Sequence, residues 1–279
     1  MSLTKFLSIP EVKEKFKLEF NRPRFTAQLE LVASPRSNRH QVVGTAFDYL
    51  LRFYLQRLNP KAISRSEWVA EQAWIELVHD NDLHAKGEEI VLTAKNLLQE
   101  YIETGNLTSQ IADSALQLAT LDHVFRGGGP GFSPSEFVGV TYPEDIEDLM
   151  SLIGAVNPAN FLAKSTCVLN PTFGLGSRVV GGADADLVVD NTLIDIKTTK
   201  KLSLERAQFD QIIGYYVLHQ IGSVGELDPK ISIDKVGIYF SRFGFLYTES
   251  VSDLINPETF PEFIEWFVER ARVEYKSGK

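Results

Sequence analysis

Cysteine is nearly missing from this 279-residue chain, where Cys167 stands alone. One thiol excludes an intrachain disulfide, a cysteine-ligated zinc site and a four-cysteine iron–sulfur cluster. Long apolar runs are missing as well. None approaches the roughly 18 residues of a membrane span. The opening MSLTKFLSIPEVKEKFK lacks the apolar stretch of a secretion signal, so the expectation is a cytoplasmic protein without a membrane partner. The phosphate-loop pattern GxxxxGK[ST] is absent, and Ser133 lacks the final Gly of a GxSxG elbow. The Gly-rich stretch from Arg126 to Phe137 therefore reads as a loop or hinge. Histidine is scarce. His79 and His84, with Glu76, Asp80 and Asp82, match no ligand spacing and read as a solvated turn. Excess positive charge is lacking too: the net charge is −9, which argues against a strongly basic, non-specific nucleic-acid binder.

What is present is ordinary for a globular chain, with 44% hydrophobic and 23% charged residues. The length allows one large domain or two small ones, with a substantial core. Residues 1–40 differ from the rest. Lys13, Lys15, Lys17, Arg22, Arg24, Arg36 and Arg39 outnumber the acids there, with Phe16, Phe20 and Phe25 between them. The bland reading is a solvated helix face followed by an irregular basic arm; the sharper one is contact with phosphates and bases. Val42, Ala46, Tyr49, Leu50, Phe53 and Leu58 recur at helical spacing over 41–58, and Asn59-Pro60 stops that helix. Residues 61–164 read as mainly helical, closing with an acidic helix over Tyr142–Val156 expected to face away from nucleic acid. Residues 165–279 carry the strand signals. Cys167 reads as a core residue. SRVVGG reads as the approach to a strand. KVGIYFSRFGFLYTESV reads as two strands around an exposed Arg242–Gly244 turn, and a last helix follows Asn256-Pro257.

The densest chemistry lies in GGADADLVVDNTLIDIK, Gly181–Lys197. Two runs of β-branched and aliphatic residues flank Asp190-Asn191, a pair suited to a tight turn. With that turn, Val189 faces Thr192, Leu187 faces Ile194, Asp186 faces Asp195 and Asp184 faces Lys197. Directly opposed residues share a face, so three carboxylates and one amine converge on one side. Ala183, Ala185, Leu187, Ile194 and Ile196 take the other. Carboxylates at an apolar sheet are costly unless paired or metal-bound. Lys197 is one compensator. A hard divalent cation, Mg²⁺ above all, is the other. In the helix that follows, Gln208, Gln211 and Tyr215 form a polar stripe, with Ser203 as a candidate cap.

A Gly-rich lead-in, a strand Asp, a short turn, Asp-x-Lys and then Gln-x-x-x-Tyr resemble the PD-(D/E)XK nuclease superfamily, in particular its exonuclease-like branch, the RecB and lambda-exonuclease group. GTAFDYLLRF, Gly44–Phe53, resembles that branch's earlier helix, with Asp48 where many members have His. The Pro of the family's name is absent before Asp186, and the iron–sulfur cluster of some relatives is ruled out by the single Cys. The resemblance implies an α/β fold: a restriction-endonuclease-like mixed sheet flanked by helices, with residues 61–164 as a helical insertion. It implies a Mg²⁺-dependent phosphodiester hydrolase, with Mn²⁺ able to substitute, acting on nucleic acid, DNA above all, and exonuclease-like. Asp186, Asp195, Lys197, Gln211 and Tyr215 would be catalytic. Asp48, Asp186, Asp195 and the Ile196 carbonyl would hold metal. Asp184 would neutralise Lys197 or add a ligand; the residues favour neutralisation. The alternatives are an inactive nucleic-acid-binding module of the same fold, a sequence-specific restriction-type endonuclease and, third, a non-nuclease metallohydrolase.

Overall fold

The computed structural model describes residues 2–65, 67–126, 133–224 and 231–277. Of the loop expected over Arg126–Phe137, residues 127–132 lie outside them, and Pro134–Phe137 is a short helix instead. Helices α1 (Leu3–Leu7), α2 (Pro10–Glu19) and α3 (His40–Leu58) lead into a two-residue strand β1 (Ile63–Ser64). Then come α4 (Val69–Glu76), α5 (Asn81–Thr104), α6 (Ser109–Phe125), α7 (Pro134–Phe137) and α8 (Pro143–Gly154). The sheet follows as β2 (Cys167–Leu169), α9 (Leu175–Val179), β3 (Leu187–Val189) and β4 (Thr192–Lys197). Helix α10 (Arg206–Ile221), β5 (Lys235–Phe240), β6 (Phe245–Ser250), α11 (Val251–Leu254) and α12 (Phe260–Ser277) complete the order.

The fold is α/β. Six strands make one mixed sheet in the order β1-β2-β3-β4-β5-β6, with β1–β2 and β4–β5 parallel and the other pairs antiparallel. Alternate strand residues feed two cores. Cys167, Leu169, Leu187, Val189, Ile194 and Tyr239 pack with α3, α5, α6 and α8. Val168, Val188, Leu193, Val236, Ile238 and Phe240 pack with α1, α2, α10 and α12. A sheet covered on both sides explains why these strands are nearly continuous apolar runs. Among the described residues no helix is long and apolar enough to cross a membrane.

Several sequence expectations are corrected. Of the arm's phenylalanines, Phe16 and Phe20 are core residues, as is Phe6, while Phe25 is half-buried. Phe6, Phe16 and Phe20 are fully buried, and their rings meet Phe260, Phe263 and Phe267. Each such burial contributes about 1.5–3 kcal/mol, which anchors α1 and α2 against α12. SRV in SRVVGG belongs to α9, not a strand. The α9 backbone packs so closely on α10 that a Cβ at Gly176 would collide with the Leu218 carbonyl. Gly176→Ala is expected to destabilise by about 1–3 kcal/mol through overpacking, measured as a lower denaturation midpoint. Arg242 is buried rather than exposed. Acids of α8 turn inward, with Asp145 paired to Arg39 at 2.7 Å and Asp148 to Arg242. The cap of α10 is Glu205, bonded reciprocally with Gln208, rather than Ser203.

The β3–β4 hairpin has the expected register, Leu187 opposite Ile194 and Val189 opposite Thr192. Asp190 sits in its turn with φ +52°. Its carboxylate also accepts from the backbone N–H groups of Lys164, Ser165 and Thr166. Burial is the largest single influence and pushes its pKa up, but these bonds together prevail and hold the carboxyl at about 2. The unfolded carboxyl titrates near ~3.9. The resulting stability is therefore full above about pH 4 and is lost as the pH falls toward about 2. Asp190→Asn, which tolerates the same φ, is expected to cost about 1 kcal/mol at neutral pH and to flatten this part of the acid-unfolding profile.

Candidate functional site

The candidate site forms where β4 ends. Past Leu193 the α10-facing positions of β4 become polar, with Asp195 and then Lys197. Asp195 is 2% exposed. The Lys197 ammonium lies 2.7 Å from Asp195 Oδ2. Lys197 Nζ also donates to Gln211 Oε1 at 3.0 Å, and Gln211 Nε2 donates to the Tyr215 hydroxyl at 3.0 Å. Gln211 and Tyr215 are one helical turn apart, so α10 presents both to the strand. Asp186 joins from the lead-in to β3. Its Oδ2 accepts from the Ile196 N–H at 2.6 Å, which fixes it beside β4 where the β3 ladder has ended. These five groups gather at the end of β4, and Asp186 and Lys197 are only half-buried.

Asp48 arrives from α3. A Cβ at Gly44 would sit 3.9 Å from that of Thr198, so the helix crosses just beyond the end of β4 and brings Asp48 in one turn later. Asp48 Oδ2 takes Arg52 at 2.7 Å, while its buried Oδ1 has no hydrogen-bond partner. The Arg52 guanidinium rests on the Tyr49 ring, 4.4 Å from its centroid.

One expected pairing is corrected. Asp184 does not reach across to Lys197. Its Oδ2 accepts from Asn170 Nδ2 at 3.1 Å, and its backbone bridges Thr172. The physical reason is that the chain before Leu187 leaves β4 and pairs with the extension of β2: Ala185 N–H goes to the Pro171 carbonyl and Asn170 N–H to the Asp186 carbonyl. Asn170 turns the chain there with φ +50°. Ala185, expected beside Leu187, packs instead in the core on the α10 side. Gln208, expected on the site stripe, caps its own helix.

Sequence reasoning missed Asp122 and Arg126 on and after α6. Asp122 is buried, binds Arg126 and accepts from the Tyr49 hydroxyl at 3.3 Å. Both lie close enough to raise or lower charges across the site. Helical i,i+4 spacing of Asp122 and Arg126 was a visible signal for the pair, but nothing local linked it to the hairpin 60 residues on.

The result is five aspartates, 48, 122, 184, 186 and 195, among three cations, Arg52, Arg126 and Lys197. Burial is the first cause that raises the pKa of Asp186 well above the usual carboxylate range, and the charges of Asp195 and Asp48 add to it. Burial likewise raises Asp48, with Asp122 and Asp184 adding and Arg52 opposing. Burial raises Asp195 despite Lys197. For Lys197, burial disfavours the charge, but Asp195 and Asp186 prevail and hold the ammonium above its ordinary value.

No family model, curated protein or solved structure matches this chain. Nor, among the described residues, do three or more His, Cys, Asp or Glu side chains close into a ready metal cage. The donor chemistry nevertheless fits a hard divalent ion: carboxylate oxygens only, one of them buried and orphaned on Asp48. The acids are individually held instead, Asp48 by Arg52, Asp195 by Lys197 and Asp186 by a backbone N–H.

Proposed function

We propose that the protein is a metal-dependent nuclease that hydrolyses phosphodiester bonds in DNA, from strand ends. The observation that carries this reading is the linked chain Asp195–Lys197–Gln211–Tyr215, with the Asp186 carboxylate held on the Ile196 N–H between Asp195 and Lys197. A restriction-endonuclease-like core is part of the proposal. The succession α3, β2–β4, α10 and the parallel strand β5 is compatible with it.

Asp48, Asp186 and Asp195 would hold Mg²⁺ or Mn²⁺, with the Ile196 carbonyl as a further ligand. The ion would supply Lewis acidity toward the phosphate and a more acidic bound water. The chain's own groups have separate tasks. Lys197 stays protonated beside Asp195 and Asp186, so it serves as a positive partner for a phosphate oxygen in the transition state rather than as the base. Gln211 fixes the ammonium through Oε1, and Tyr215 fixes Gln211. Tyr215 itself stays protonated, since burial and the charges of Asp195 and Asp186 hold its pKa well above the ordinary phenol value.

The test is incubation with end-labelled linear DNA and with circular DNA in Mg²⁺, Mn²⁺ or EDTA. Progressive loss from labelled ends, intact circles and silence in EDTA are expected. Discrete fragments would favour a restriction-type endonuclease. Binding without cleavage in either metal would leave the inactive binding module.

A further inference from the structure

Beside the acidic centre lies a basic trough that the catalytic reading does not use. Its first recess, about 860 Å³, runs between α1–α2 and the start of α10. Leu7, Ala207, Lys13, Lys17, Arg22 and Gln211 are among the residues that line it. A second recess of about 590 Å³ shares Arg22 with the first and continues between residues 22–28 and 202–204, where Arg24 and Phe25 line it. Among the described residues nothing pairs with Lys13, Lys17 or Arg24. Arg22 gives one N–H to the Leu204 carbonyl. Of the acids there, Asp210 is neutralised by Arg206 at 2.7 Å, leaving Glu14. Residues 1–40 hold eight Lys and Arg against four Glu, in a chain whose net charge is −9. Four of those eight, Lys13, Lys17, Arg22 and Arg24, line the two recesses.

We infer that this trough is the track of a single nucleic-acid strand leading to Lys197. The inference rests on the phosphodiester reading of the neighbouring site. Gln211 joins the two, since it lines the trough and accepts from the Lys197 ammonium at 3.0 Å. A lining of apolar residues and cations suits a single strand, whose bases seek apolar or aromatic surface while its phosphates meet Lys and Arg. A duplex keeps its bases stacked inside and presents phosphates alone. Phe25 supplies a half-buried ring in the second recess, braced against Phe240 and Tyr247 with centroids 5.6 and 5.0 Å away.

The experiment is fluorescence anisotropy of the full chain with a 5′-labelled oligothymidylate in EDTA, where no cleavage intervenes, over a range of salt. The triple variant Lys13→Gln, Lys17→Gln, Arg24→Gln is compared with Lys61→Gln, Lys164→Gln, Lys235→Gln, which changes exposed lysines elsewhere by the same net charge. The trough variant should bind at least about tenfold more weakly at low salt, and its slope of log affinity against log salt should shrink by about 2, since each lost contact removes roughly 0.7. The control should keep both. No binding by the unaltered chain, unchanged binding by the trough variant, or equal losses in the two variants would overturn the track. Equal, trough-dependent affinity for a duplex of the same length would overturn its single-strand character. A chain that binds through the trough yet never cleaves with Mg²⁺ or Mn²⁺ would sink the nuclease reading and leave the track standing.

Discussion

Asp195→Asn and Lys197→Ala are each expected to lower divalent-dependent cleavage by roughly 10²–10³-fold or more, the scale of losing one preorganised charge at a transition state. The two should part company in stability. Asp195 is an almost fully buried carboxylate whose charge works against that of Asp186, and its burial already opposes ionisation. Neutralising it removes that repulsion and leaves Lys197 with Asp186. Asp195→Asn should therefore keep or raise the melting temperature in EDTA, by about 1 kcal/mol or a few degrees. Lys197→Ala removes the cation that offsets both acids and should lower it. If Asp195 were merely half of a stabilising ion pair, both changes would destabilise and neither would touch catalysis. Calorimetry in EDTA beside a cleavage assay in Mg²⁺ separates the cases. Full activity in both variants would end the assignment.

The parts of this centre that were legible in the sequence are those fixed by neighbours along the chain. The Asp190-Asn191 turn and alternation of apolar residues set the β3–β4 register, and helical spacing put Gln211 and Tyr215 on one face. Asp184 lies two residues before Asp186 and was misassigned because its partner depends on a strand from elsewhere, the Asn170–Thr172 extension of β2. Extending the ladder past Leu187 assumed that β3 keeps β4 as neighbour, and backbone bonds to Asn170 and Pro171 take over there instead. Phe16 and Phe20 of the amino-terminal arm were misread although a signal was available: Val12, Phe16 and Phe20 repeat every four residues, the stripe of a helix seeking a core. Asp122 entered the site through packing of α6 on α3, which no local pattern encodes.

Arg242 shows the same limit with the largest expected consequence for folding. From sequence it sits at a tight turn, ordinarily a solvent position. In the fold it is 1% exposed and grips Asp148 of α8 with two bonds, 2.7 and 3.1 Å, while donating to the Ala33 carbonyl at 3.1 Å. Its own carbonyl accepts from the N–H groups of Val32 and Ala33. One residue thus ties the β5–β6 turn, α8 and the irregular 20–39 segment together. Removing one partner of a buried pair leaves the other charge uncompensated and costs about 3–5 kcal/mol. Arg242→Met is expected to lower the melting temperature on the order of 10 °C. Asp148→Leu should do much the same. The combined variant should recover most of the loss, because two apolar side chains of similar bulk leave no stranded charge. It should also recover the trough beyond residue 20, since the backbone bonds from Val32 and Ala33 to the Arg242 carbonyl do not need the guanidinium. A double variant as unstable as the sum of the singles would mean that the bond to the Ala33 carbonyl, not the pairing with Asp148, carries the stability. In that case oligothymidylate affinity should fall with the melting temperature instead of returning with it.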